Sequence, residues 1–185
     1  LVIKQPFPSM PVKFWDDDDG KKYHEAYFAK FKNVWHHGDF IERTSNNGFI
    51  VRGRSDATLN PGGVRIGTSE IYQQVENINF ITEGLVVGQD YKDDVRIILF
   101  VTTKNNEDLD EEKIKIIKSR IRNNCSPKHV PAIIIKAPAI PRTKSGKIVE
   151  LAVKKLINGK ELNNKEAIAN PESLDFFKNL SQLKI

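Results

Sequence analysis

Gly53-Arg54-Ser55-Asp56-Ala57-Thr58-Leu59-Asn60-Pro61-Gly62-Gly63-Val64-Arg65-Ile66-Gly67-Thr68-Ser69-Glu70-Ile71-Tyr72 is the stretch on which the reading of this chain turns. It follows an apolar run, Phe49-Ile50-Val51, and leads into Ile71, Val75 and Ile78, whose 0, 4, 7 spacing is helical. Gly62 and Gly63 permit positive φ and close approach of a ligand or another backbone. Thr68 or Ser69 is expected to cap the helix. A turn followed by helix-start N–H groups, flanked by Arg54 and Arg65, can meet phosphate. On local chemistry alone the plainer reading comes first: a strand–turn–helix corner with surface arginines, because Gly-rich turns are common punctuation.

Upstream, residues 1 to about 53 read as β-rich. Leu1-Val2-Ile3-Lys4 is a strand fragment, and Pro6, Pro8 and Pro11 then forbid regular structure. The opening Leu1-Val2-Ile3 lacks an initiator Met and a signal peptide, and it reads as the interior of a strand in a larger protein. Asp16 to Gly20 is a turn. A calcium loop fails there, since counting back from Gly20 puts Trp15 at the first ligand position and Ala26 at the last. Tyr23 to Phe31 is expected to be a short helix. Strands are expected at Gly38 to Ile41 and Phe49 to Val51, joined by a turn over Ser45 to Gly48.

Downstream the pattern alternates between helix and strand, which argues a compact α/β domain. A helix near 69–78 precedes strands at Gly84–Gly88 and Val95–Thr103. Asp108-Leu109-Asp110-Glu111 resembles a capping box, opening a helix with Ile114, Ile117 and Ile121 on one face. Ala132 to Lys136 is a buried-type strand. A helix over Ile148–Asn158 is stopped by Gly159, and Asn170-Pro171 is expected to cap a short terminal helix. No internal repeat or low-complexity segment is present.

The 185 residues suffice for a sizeable core. Apolar content of 39% and charged content of 29% place the chain among globular rather than disordered sequences. A net charge of +5 suits anionic small molecules as well as nucleic acid and selects neither. The single cysteine, Cys125, rules out an intrachain disulfide and points to a reducing, cytoplasmic setting. Apolar runs are too short for a membrane helix. His36 and His37 are adjacent and read as structural, and no His/Cys spacing suggests a metal site.

Two further motifs flank the opening stretch: His36-His37-Gly38-Asp39-Phe40 before it and Pro141-Arg142-Thr143-Lys144-Ser145-Gly146-Lys147-Ile148 after it. The three, in this order, resemble the hinge region and small C-terminal domain of the acyl-adenylate-forming enzymes. The flanks, VIKQPFPSMPVKFWDDDDGKKYHEAYFAKF and NGKELNNKEAIANPESLDFF, are similar to the branch of acid–CoA ligases that acts on acetoacetate. The resemblance covers essentially the whole chain, while the chain covers only the last part of such an enzyme. It implies an α/β (α+β) fold: residues 1–53 as a β-rich remnant of the large N-terminal domain, 54–57 as hinge, 58–157 as the small domain and 158–185 as an extension with a short helix.

The resemblance also assigns residues. Asp39 matches the ribose-binding aspartate, although on its own it reads as a turn aspartate. Arg54 matches an arginine near the nucleotide and Asp56 the hinge position. Arg65 matches an arginine that meets the nucleotide phosphates. Gly63 matches a position where a side chain would block the pantetheine tunnel, and Arg122 a position that contacts CoA in some relatives. Lys147 matches a lysine that stabilises charge developing during adenylation. Without the resemblance, Arg142, Lys144 and Lys147 read as a solvated basic loop. A Walker loop is excluded, with Pro141 where its first glycine belongs and Ile148 in place of Ser/Thr.

The reaction implied is acetoacetate, ATP and CoA to acetoacetyl-CoA, AMP and pyrophosphate. Mg²⁺ ligands, the phosphate loop and the acyl pocket would lie in the missing N-terminal domain, so the chain alone would be inactive. Neither nucleic acid nor a membrane is an expected partner. The alternative is a basic α/β module for nucleic acid or another polyanion. Against it, the aromatics do not interleave with the basic residues as a base-stacking platform requires.

Overall fold

A computed structural model describes residues 1–162 and 165–184, so part of the expected 158–185 extension lies outside the described residues. The chain divides into two compact units, Leu1–Ser55 and Asp56–Ile185.

In the first unit β1 (Val2–Ile3) pairs antiparallel with β2 (Trp35–His36), and β3 (Asp39–Arg43) pairs antiparallel with β4 (Phe49–Arg54). The turn over Thr44–Gly48 closes on a Thr44 N–H to Gly48 carbonyl bond of 2.9 Å. A helix, α1 (Lys21–Tyr27), is shorter than the Tyr23–Phe31 expected. It starts where Gly20 takes φ +68, and the buried Asp17 carboxylate accepts the N–H groups of Lys22 and Tyr23 at 2.8 Å each. Those are two of the donors that every helix start leaves unpaired. The small core is aromatic: buried Trp35 stacks on Tyr27 at 3.7 Å and meets Phe7 and Phe28 edge-on.

The second unit is built on one three-stranded sheet in the order β5 (Ile81–Tyr91), β6 (Asp94–Thr103), β7 (Ile133–Lys136). β5 and β6 form a long antiparallel hairpin, and β7 returns parallel to β6. Side chains alternate across a strand. Ile97, Leu99 and Val101 therefore face α2 (Thr68–Val75) and α3 (Glu111–Asn124), packing with Ile71, Val75, Ile117 and Ile121. Ile98 and Phe100 face the other way, against Val153 of α4 (Glu150–Ile157) and against Phe177 and Leu183. Both faces are covered, and the sheet is fully buried in its middle.

Three cap expectations change. Gly67, not Thr68 or Ser69, is the N-cap of α2, and the Glu70 carboxylate accepts its N–H at 3.0 Å. Asp110, rather than Asp108, caps α3 by accepting the Lys113 N–H at 2.8 Å. Asn170 keeps its expected N-cap position with Pro171 first in the helix, but Pro171–Phe177 is a 3₁₀ helix and the Asn170 amide makes no cap bond, being used elsewhere.

Burial predicts a sharp contrast between neighbours on α3, because Ile117 is 0% exposed and Ile116 is 46% exposed. Ile117→Ala should cost about 2–5 kcal/mol, while Ile116→Ala should stay within about 0.5 kcal/mol. Urea unfolding of the two variants checks it; equal losses would mean that α3 packs through another face.

Candidate functional site

In the first unit the β3–β4 register sets Asp39 directly opposite Arg54. Arg54 Nη1 lies 3.5 Å from Asp39 Oδ1 and donates to the His37 carbonyl at 3.2 Å. The other carboxylate oxygen, Asp39 Oδ2, is 2.7 Å from His37 Nδ1. Two of the three residues assigned to the nucleotide, Asp39 and Arg54, are thus one cluster, and His37, read from sequence as merely structural, is its third member. Each carboxylate oxygen retains a second acceptor direction for a ligand hydroxyl.

Gly38 makes this approach possible. Its φ is +92, and a Cβ there would lie 2.5 Å from the Arg54 guanidinium. Its carbonyl also accepts the Ser55 N–H at 2.8 Å, tying the strand exit back to β3.

In the second unit the Gly-rich turn is pinned from within. The Gly62 N–H points at both oxygens of Asp94, 2.9 Å from each. Hydrogen bonds from the Val95 and Gly62 N–H groups hold the Asp94 carboxyl below its ordinary range, with Lys128 adding its charge. This N–H belongs to the turn and not to the start of α2, and it is engaged by a carboxylate 32 residues away. Gly63 follows at φ +76 with open space where a side chain would begin. Arg65 is exposed, and Arg122 stands exposed in the last turn of α3.

Lys147 is exposed at the end of a tight hairpin turn. The Thr143 N–H bonds the Lys147 carbonyl at 2.8 Å, the Lys147 N–H bonds Thr143 Oγ1 at 3.0 Å, and Gly146 turns at φ +82. Arg142 braces the turn: its Nη1 donates to the Gly146 carbonyl at 2.6 Å, while Nε and Nη2 grip Glu83 Oε1 at 3.1 and 2.5 Å. Sequence reading counted Arg142 as solvated basic charge. Glu83 is 59 residues away and gave no signal.

Asp56 is exposed, and its carbonyl accepts a bond from Lys154 Nζ at 3.3 Å. Behind it, the Tyr72 hydroxyl donates to Glu150 Oε1 at 2.5 Å. Burial pushes the Glu150 carboxyl above its ordinary value, and the nearby Asp56 charge adds to that. Burial likewise pushes the Cys125 thiol up, which suits an inert cysteine rather than a nucleophile. Among the described residues no group of three or more His, Cys, Asp or Glu gathers to hold a metal, and no helix is long and apolar enough to cross a membrane.

No family model matches the chain. An acetoacetyl-coenzyme A synthetase of Rhizobium meliloti (strain 1021) is 58% identical over 184 residues, covering 100% of this chain and 28% of the relative. One from Xenopus tropicalis is 47% identical over the same shares of both. The solved acetoacetyl-CoA synthetase of Streptomyces lividans superposes with a TM-score of 0.89 at 42% identity, over 98% of this chain and 28% of that one. Over its whole length the chain is similar to one segment of the acetoacetyl-CoA synthetases. It spans 28% of the length of the curated relatives it matches. The family and fold expected from the three motifs are those found, and the polyanion-binding alternative receives no support.

The glycines give a prediction that needs no activity. Gly38→Ala and Gly63→Ala each force a side chain into a left-handed backbone, about 1 kcal/mol. Only Gly38→Ala must also displace Arg54. Thermal unfolding should show Gly38→Ala as the more costly of the two; the reverse order would contradict the packing around Arg54.

Proposed function

We propose that the chain serves an AMP-forming acetoacetate–CoA ligase, which joins acetoacetate to CoA through an acetoacetyl-adenylate. ATP, acetoacetate and CoA are its substrates, with pyrophosphate and AMP released in turn. The 185 residues contribute part of the nucleotide site and the mobile element; the acyl pocket belongs to the remainder of the protein, without which the chain does not turn over. Mg²⁺ accompanying ATP takes its protein ligands there too. The cytoplasm is the proposed compartment.

In this reading Asp39 holds the ribose hydroxyls and Arg54 approaches the nucleotide from the opposing strand. Lys147 places an ammonium ion against charge that builds on the carboxylate–phosphate bridge. Arg65 meets the phosphates and Arg122 the CoA nucleotide, while Gly63 leaves room for pantetheine. Asp56 is the hinge about which the second unit turns.

One observation carries the division of labour. The Lys147 turn is tied to Glu83, near the start of β5, whereas the Gly62–Gly63 turn is tied to Asp94, opposite Tyr91 at the far end of the same hairpin. Eight residues of strand separate those ends, roughly 26 Å at about 3.3 Å per residue. Two loops so far apart on one rigid ladder cannot serve one reaction centre together. Each half-reaction therefore needs its own orientation of the unit.

In the full-length enzyme, Lys147→Ala should slow acetoacetate-dependent ATP–pyrophosphate exchange by ~10²–10³. It should spare thioester formation from preformed acetoacetyl-adenylate. Gly63→Leu should do the reverse, with Gly63→Ala as the control for backbone strain alone. The isolated 185-residue chain should form no thioester. If both variants impair the two half-reactions equally, the proposal of separate loops fails.

A further inference from the structure

The Lys147 turn is unusual in how completely its backbone is tied down for a loop whose tip is exposed. Besides its internal bonds it forms an isolated β-bridge with the C-terminal segment. The Lys144 N–H donates to the Ala167 carbonyl at 3.0 Å and the Ala169 N–H donates to the Arg142 carbonyl at 2.8 Å, so that Thr143 pairs with Ile168. Asn170 closes this contact with both ends of its amide. Its Oδ1 accepts the Arg142 N–H at 2.9 Å, and its Nδ2 donates to the Ile140 carbonyl at 3.1 Å.

Arg142 fixes the opposite side. One guanidinium holds a carboxylate on β5 and a carbonyl inside the turn at once, a geometry that needs a planar fork rather than a point charge. The Arg142 and Glu83 side chains are 36% and 31% exposed, and an ion pair so open to solvent adds little to stability. Its consequence lies elsewhere: it sets where the turn carrying Lys147 stands relative to the sheet.

We propose that Arg142 and Asn170 are positioning residues for Lys147, holding the turn in the one arrangement that presents its ammonium group for adenylation. This rests on the role assigned to Lys147 above. A displacement of about 1 Å in a catalytic group can cost ~10²-fold in rate without any loss of fold. The rigid turn supplies that precision to a long, otherwise mobile side chain.

The test uses the full-length enzyme, measuring ATP–pyrophosphate exchange and thioester formation from preformed acetoacetyl-adenylate separately. Arg142→Lys and Asn170→Ala should lower the kcat of exchange ~10–10²-fold, with KM for ATP and thioester formation little changed. Lys144→Ala, which removes a neighbouring charge but keeps its backbone bond, should change neither. Placed in a Lys147→Ala background, Arg142→Lys and Asn170→Ala should cause no further loss, because what they position is gone. Glu83→Gln, a milder variant that keeps the shape of the brace, should lower exchange by less than Arg142→Lys and covers the case in which the latter fails to fold. Undiminished exchange in Arg142→Lys and Asn170→Ala would overturn the inference, as would an undiminished further loss in the Lys147→Ala background. If Lys147→Ala itself leaves exchange intact, the assignment of Lys147 falls and this inference with it; if only the bracing variants are silent, the inference falls alone.

Discussion

The antiparallel pairing of Ile81–Tyr91 with Asp94–Thr103 is the constraint on which the second unit depends. Because successive side chains on a strand point to opposite faces, this one hairpin must be covered twice. Ile97, Leu99 and Val101 call for α2 and α3, while Ile98 and Phe100 call for α4 and the C-terminal 3₁₀ turn. A one-residue slip in register would exchange the two sets and leave neither face matched. The C-terminal residues Phe177 and Leu183 are therefore part of the core, since without them the Phe100 side of the sheet would stand open to water.

The same hairpin positions the loops. Charged side chains at its two ends, Glu83 and Asp94, each hold a turn that carries a candidate functional residue. Neither contact is a deep electrostatic anchor, and the apolar core supplies the stability. What the carboxylates add is direction: one presents Lys147, the other aligns the open space at Gly63. The first unit uses the same device on a smaller scale, where the β3–β4 register brings Asp39 and Arg54 together and Gly38 leaves the room they need.

Much of this was legible in sequence, for identifiable reasons. The alternation of apolar periods revealed the helices and strands of the second unit, and three ordered motifs revealed the family. Strand ends were not legible: β5 extends over Ile81-Thr82-Glu83 and Gln89-Asp90-Tyr91, largely polar ends that join the ladder because β6 runs opposite them as far as Thr103 and Asp94. Cap positions shifted by a residue or two, because Gly67 and Asp110 compete with nearby residues of equal local merit. The joining of His37 to Asp39 and Arg54 depends on a bulge between Phe40 and Ile41, which no composition signal marks. The Glu83–Arg142 and Gly62–Asp94 contacts join residues 59 and 32 positions apart, so they exist only once the sheet has formed.

The central claim is that Lys147 is exposed yet mounted on a fixed turn. Amide hydrogen exchange in the 185-residue chain tests it most directly, at the N–H groups of Lys144, Gly146 and Lys147. All three donate within the folded unit, to the Ala167 carbonyl, the Thr143 carbonyl and Thr143 Oγ1. Protection of these amides well above unstructured-loop rates is the predicted result, with Arg142→Lys lowering it. Exchange at the rate of an open loop in the unmodified chain would contradict the account.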